Sequence, residues 1–210
     1  MRHPIRIMVP ALAALAASGL LTGCLGTEAK PDRTVDKPAA KATSAAPEAS
    51  RATLGGPGTA CALPVSFALA ADWKPNAIKN PEDPEFAALT RQGPVLVRCE
   101  IDGKPAGHIG YLRIWTGKQG DARATLEAFV KAAKNTSKVT YKETKAGALP
   151  ATEVTYTVYN DIMEESKEER AFAVSTPKGA VVVHLGGLDS EEHRAMLPAY
   201  ELARSSLKAL

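Results

Sequence analysis

Hydrophobic and polar positions along the chain change period several times, and each change predicts an element. Val65, Phe67 and Leu69 alternate with small or polar residues, which predicts a strand before Ala70 to Pro75 breaks the pattern. Pro81-Glu82-Asp83-Pro84 ahead of Glu85 to Arg91 reads as a short helix begun near a proline. Val95, Val97, Cys99 and Ile101 alternate with Leu96, Arg98 and Glu100 in a second strand. Asp102-Gly103 and Gly107 supply the turn, and Ile109 to Thr116 forms a third strand. Asp121 is placed to cap a helix from Ala122 to Lys134, in which Ala122, Leu126, Phe129, Val130 and Ala133 recur at helical spacing. Val139 to Lys145, Ala151 to Tyr159, Glu169 to Ser175 and Ala180 to Leu185 give further strands. Their connections are Ala148-Leu149-Pro150, Asn160 to Lys167 and Thr176-Pro177-Lys178-Gly179, and Gly186-Gly187 ends the last strand. Asp189 or Ser190 caps a terminal helix that Pro198 is expected to interrupt, with Ala199, Ala203, Leu207 and Leu210 on one face.

Several of these connections are too short for parallel crossovers, so the fold class is α+β with an antiparallel sheet of about six to seven strands. The two long amphipathic helices cover that sheet, and the continuous Val181-Val182-Val183 run favours cover on both faces.

This element order, together with Val65-Ser66-Phe67-Ala68-Leu69-Ala70-Ala71-Asp72-Trp73, resembles the PsbP-like α/β/α sandwich and the actinobacterial envelope lipoproteins that share it. The resemblance covers Cys61 to Leu210 and departs from the family pattern at Ala71, where a proline usually precedes the tryptophan. It implies a domain closed by its last helix and an accessory or binding role without catalysis.

The N-terminus has a different pattern. Arg2 and Arg6 precede a mostly apolar stretch from Ile7 to Leu21, the architecture of a secretory signal. It ends in Leu21-Thr22-Gly23-Cys24, which resembles the lipobox of bacterial lipoproteins. The resemblance implies cleavage after Gly23, a diacylglyceryl thioether on Cys24 and attachment to the outer face of the cell membrane. At about 0.8 kcal/mol per buried CH₂, one acyl chain holds marginally and two hold stably. Residues 1–23 are thus read as signal peptide. Leu25 to Ala60 contains only Leu25, Val35 and Leu54 as large aliphatics and no aromatic, so 24–60 is read as a lipidated, disordered tether. Residues 61–210 are the single globular domain.

Composition then removes whole classes of function. From Cys61 onward the chain carries 19 Lys plus Arg against 19 Asp plus Glu, so the body is formally neutral and lacks the basic footprint of a nucleic-acid binder. No run in the body approaches the length of a membrane-spanning helix.

Cys61 and Cys99 are the thiols left once Cys24 is lipidated, and in an oxidising compartment they are expected to form a disulfide. The alternative is a reactive thiolate at Cys99, set against the apolar company of Val97 and Ile101. His108, His184 and His193 show no metal-ligand spacing, and no nucleophile elbow, phosphate loop or calcium loop occurs, so neither metal, cofactor nor catalytic residue is assigned. Lys131, Lys134, Lys138, Lys142 and Lys145 follow one another from helix into strand, opposite in sign to the crowded Asp161, Glu164, Glu165, Glu168 and Glu169. The lysines are read either as a surface for an anionic wall polymer or lipid headgroup, or as ordinary solvated charge. The leading expectation is a lipid-anchored, outward-facing, non-enzymatic binding or accessory module whose partners are the membrane and an envelope protein or wall polymer. Its alternatives are a small hydrolase using a histidine with carboxylates and a serine, and a wall spacer without any concave apolar pocket.

Overall fold

The computed structural model describes residues 52–79 and 84–210. The signal peptide, Cys24 and the tether as far as residue 51 lie outside them. The described elements run β1 (Thr53–Leu54), β2 (Val65–Ala68), β3 (Lys74–Ala77), α1 (Pro84–Leu89), β4 (Arg91–Gln92), β5 (Val95–Asp102) and β6 (Gly110–Gly117). They continue with α2 (Ala122–Lys131), β7 (Thr136–Ala146), β8 (Leu149–Asn160), β9 (Glu165–Thr176), β10 (Gly179–Gly187), α3 (Ser190–Ser205) and β11 (Lys208–Ala209).

The main sheet has 8 strands in the order β3-β5-β6-β10-β9-β8-β7, with β4 also on β5, and every pairing is antiparallel. This is the antiparallel α+β class expected, with more strands. The two strands not foreseen, β3 and β4, are short and polar. Lys74-Pro75-Asn76-Ala77 carries a proline and lies at the sheet edge, where a missing N–H costs no ladder bond.

Central strand β10 is buried from Gly179 to Leu185 and separates two cores. On one face, Val181, Val183 and Leu185 pack with Phe172, Tyr200, Met196 and Leu207 under α3. On the other, Val182 packs with Trp115, Ala171 and Ala173 under Leu126, Phe129 and Val130 of α2. Each of those large side chains contributes roughly 1.5–3 kcal/mol on burial. Helix α2 begins at Asp121, whose carboxylate accepts from the Ala124 amide at 2.8 Å. Helix α3 begins at Asp189, which accepts from the Glu192 amide at 2.8 Å and so is the cap in place of Ser190.

Four expectations need correction. Thr53 and Leu54 already pair with Ala68 and Phe67, and Leu54 is buried, so the fold includes residues assigned above to the tether. One large aliphatic was enough to carry that segment into the core. Helix α2 stops at Lys131, short of Lys134. Helix α3 runs through Pro198 unbroken because the ring stands on the exposed face while Met196, Ala199, Tyr200 and Ala203 hold the buried one. It ends before Leu207 and Leu210, of which Leu207 is buried beyond the helix and Leu210 is largely exposed.

Strand β11 pairs with β2, so β1 and β11 flank the same strand in a separate 3-stranded sheet. Within β5 a bulge between Val97 and Cys99 shifts the register against β6. Val97 therefore faces the α2 core and Cys99 the α3 core, although both fit one unbroken alternation in the sequence.

Candidate functional site

Cys61 and Cys99 are joined in a disulfide across a Cα–Cα distance of 5.9 Å, and both are buried in the α3-side core. Cys99 is thus a crosslink and holds no free thiolate. Its neighbour on that face is Ile101, not Val97.

The five lysines are all exposed but do not form one surface. Lys131 closes α2, Lys134 lies in the connection, and Lys138 sits in a β7 bulge with φ 51°. Lys142 shares its strand face with Thr144, which accepts from Arg204 of α3 at 3.0 Å. Lys145 shares the opposite face with Tyr141 and Glu143, over which Arg123 of α2 lies, 4.2 Å from the Tyr141 ring and 3.6 Å from Glu143. Helical and strand periods superposed on a nearly regular lysine spacing, and the fold disperses them.

The acidic segment divides likewise. Asp161 accepts from Asn135 at 2.7 Å and Glu168 pairs with Arg194 at 3.3 Å on the surface. Glu169 turns inward and is buried on the α2 side, where it hydrogen-bonds His184 of β10 and pairs with Lys167 at 2.9 Å. The Tyr156 hydroxyl lies 3.2 Å from His184 Nε2, and the imidazole packs edge-on against Phe129 at 5.5 Å. Burial would raise the Glu169 carboxyl, but attraction and hydrogen bonds from His184 and Lys167 outweigh it and pull the pKa down to about 2. Burial pushes Tyr156 well above the phenol range, and the Glu169 charge adds to the effect.

The sequence pattern places His184 on one strand and Glu169 at the start of another, within an acidic cluster, without joining them. The hairpin turn at Pro177-Lys178 carries the missing signal: it sets Ala171 opposite His184, which leaves Glu169 two residues away on the same face. The partners of His184 are a carboxylate and a phenol, with no serine among them, and both are nearly inaccessible. His108 is 3.9 Å from Glu192 and 6.1 Å, centroid to centroid, from the Trp73 ring. His193 is buried at the first turn of α3 with its Nδ1 unpartnered, and burial lowers its pKa to about 4.

Among the concavities of the described surface are two large grooves. One, of about 660 Å³, runs between the start of α2 and β5, with Arg91, Lys118, Leu96 and Ala128 among its walls. The other, of about 680 Å³, lies between α3 and the Trp73 corner, walled by Trp73, His108, Met196 and Leu202. Both fall within the size range of ligand sites, where the spacer reading expected none. Among the described residues, no helix is long and apolar enough to cross a membrane, and no three His, Cys, Asp or Glu side chains gather as a metal requires.

No curated protein matches the chain. The model of an uncharacterised lipoprotein family matches residues 30–207, and the chain belongs to that family.

Proposed function

We propose that this lipoprotein is a bacterial cell-envelope protein held at the outer face of the membrane by lipid on Cys24. There it presents its α+β domain, of PsbP-like type, as a non-enzymatic binding or accessory module. The observation that carries the reading is the lipoprotein family match over residues 30–207, and Leu21-Thr22-Gly23-Cys24, just ahead of that stretch, supports Cys24 as the lipid-bearing residue. The buried Cys61–Cys99 disulfide supports export, because such crosslinks persist in oxidising compartments. The open grooves on either side of the sheet support binding.

Fractionation tests the anchor. The native chain is expected in the membrane pellet with palmitate label on its first mature residue. Cys24→Ser is expected in the soluble or secreted fraction without label. Membrane retention of the variant would remove the proposal.

A hydrolase is the second reading, favoured by the His184–Glu169 hydrogen bond alone. It requires a nucleophile and a route for substrate, and the burial of His184 and Tyr156 opposes both.

A further inference from the structure

A third concavity, of about 260 Å³, lies between α3 and the β7 edge of the main sheet. Lys138, Thr155, Thr157, Glu168, Arg170 and His193 are among its walls. It is smaller than the roughly 300–1,000 Å³ of sites that enclose a whole drug-sized ligand, and it suits a single ring.

Three features of the cleft bear on what fills it. First, hydroxyls line it. Thr155 and Thr157 are half-buried on the same face of β8 and both stand in its wall. Second, the β7 ladder is broken at this point. Between the Ser137–Thr157 and Thr140–Thr155 pairs, Lys138 and Val139 both stand opposite Tyr156, and Lys138 takes a left-handed backbone, φ 51°. Bulges of this kind re-aim a side chain beside a site, at a conformational cost that the surroundings must hold in place.

Third, the charges around the cleft cancel. Lys138 and Arg170 offset Glu168 and Glu169. Glu168 is met by Arg194 at 3.3 Å, Glu169 by Lys167 at 2.9 Å, and Arg170 by Glu201 at 3.6 Å and Glu153 at 4.0 Å. An ion entering here gains little net attraction. A polyhydroxyl ring matches donors and acceptors in mixture, since each hydroxyl both gives and takes a hydrogen bond.

We propose that this cleft binds one ring of an uncharged sugar, with Thr155, Thr157, Arg170 and Lys138 meeting its hydroxyls over a floor that includes His193. The proposal gives a ligand class to the binding-module reading on which it rests, and it does not depend on the lipid anchor.

The test is a titration of the full-length protein in detergent micelles, followed by amide proton–nitrogen NMR, with glucose, N-acetylglucosamine and inorganic phosphate as separate probes. A sugar is expected to shift Thr155, Thr157, Arg170 and His193 saturably in the millimolar range, with phosphate giving no such shifts. Thr155→Val with Thr157→Val is expected to weaken binding about tenfold, the weight of a hydrogen bond or two. Lys138→Gly relieves the left-handed backbone, so it is expected to fold at least as stably while still weakening sugar binding. That variant decides the matter should the threonine pair disturb the strand. Silence with both sugars, the same shifts with phosphate, or native affinity in Lys138→Gly would each overturn the proposal, while leaving the fractionation of Cys24→Ser as an independent measure of the anchor.

Discussion

Among the described residues, the buried side chains of His193 and Glu169 respond to acid in opposite settings. His193 stays neutral in the fold to about pH 4, against an unfolded value near 6.5. As pH falls below 6.5 the unfolded chain takes up a proton that the native one refuses, so stability declines down to pH 4, by as much as about 3 kcal/mol. Glu169 acts in a lower window. Its folded pKa of about 2 lies below the 4.5 of an ordinary glutamate, so its stabilisation is complete above 4.5 and is lost as pH falls toward 2. Urea midpoints measured at pH 7, 5.5 and 4 are therefore expected to fall in sequence, and His193→Gln is expected to flatten that decline. Glu169→Gln is expected to cost about 3 kcal/mol at pH 7, because it strips His184 and Lys167 of their carboxylate, and to remove the steep loss between pH 4.5 and 2. A variant with native stability and a native acid profile would contradict the network as described.

At the scale of elements, turns and bulges decide what meets what. Gly147, in the β7–β8 turn, has φ 55°, and an added Cβ would stand 1.9 Å from the Leu207 carbonyl oxygen. Gly147→Ala is expected to lose at least about 2 kcal/mol by chemical denaturation, since both the backbone conformation and the approach of the C-terminal segment resist a side chain. Periodicity made the strands and capped helices legible, because a period of two or of 3.6 survives in sequence whatever it later packs against. The bulge at Val97 to Cys99 was invisible for the same reason: it reverses the strand's faces without disturbing the apolar alternation. Lys74-Pro75-Asn76-Ala77 escaped because an edge strand needs no apolar pattern. Pro198 misled because the rule against helical proline takes no account of which face the ring occupies. The buried His184–Glu169 pair joins residues 15 apart in sequence, and only a hairpin register brings them together. The cleft at Lys138 is assembled from β7, β8, β9 and α3, which no local pattern encodes.

At the scale of the whole molecule, one crosslink ties the N-terminal part of the fold to the main sheet. Cys61 and Cys99 are separated by 38 residues, and closing that loop is worth about 4 kcal/mol through restriction of the unfolded chain. The Cys61→Ala, Cys99→Ala double variant is expected to show a urea midpoint lowered accordingly, matched by the native protein in a strong reductant. Equal stability with and without the bridge would mean that the α3-side core alone holds this region. The same bridge governs how the domain bears tension. Pulled between residue 52 and the C-terminal strand, the chain peels β1 from β2 and then meets Cys61, where the load passes through sulfur directly to Cys99 in β5. Once β1 and β11 have both left β2, the intervening β2, β3, α1 and β4 are bypassed by that load, and their length, about 130 Å when extended, stays hidden until the bridge is reduced.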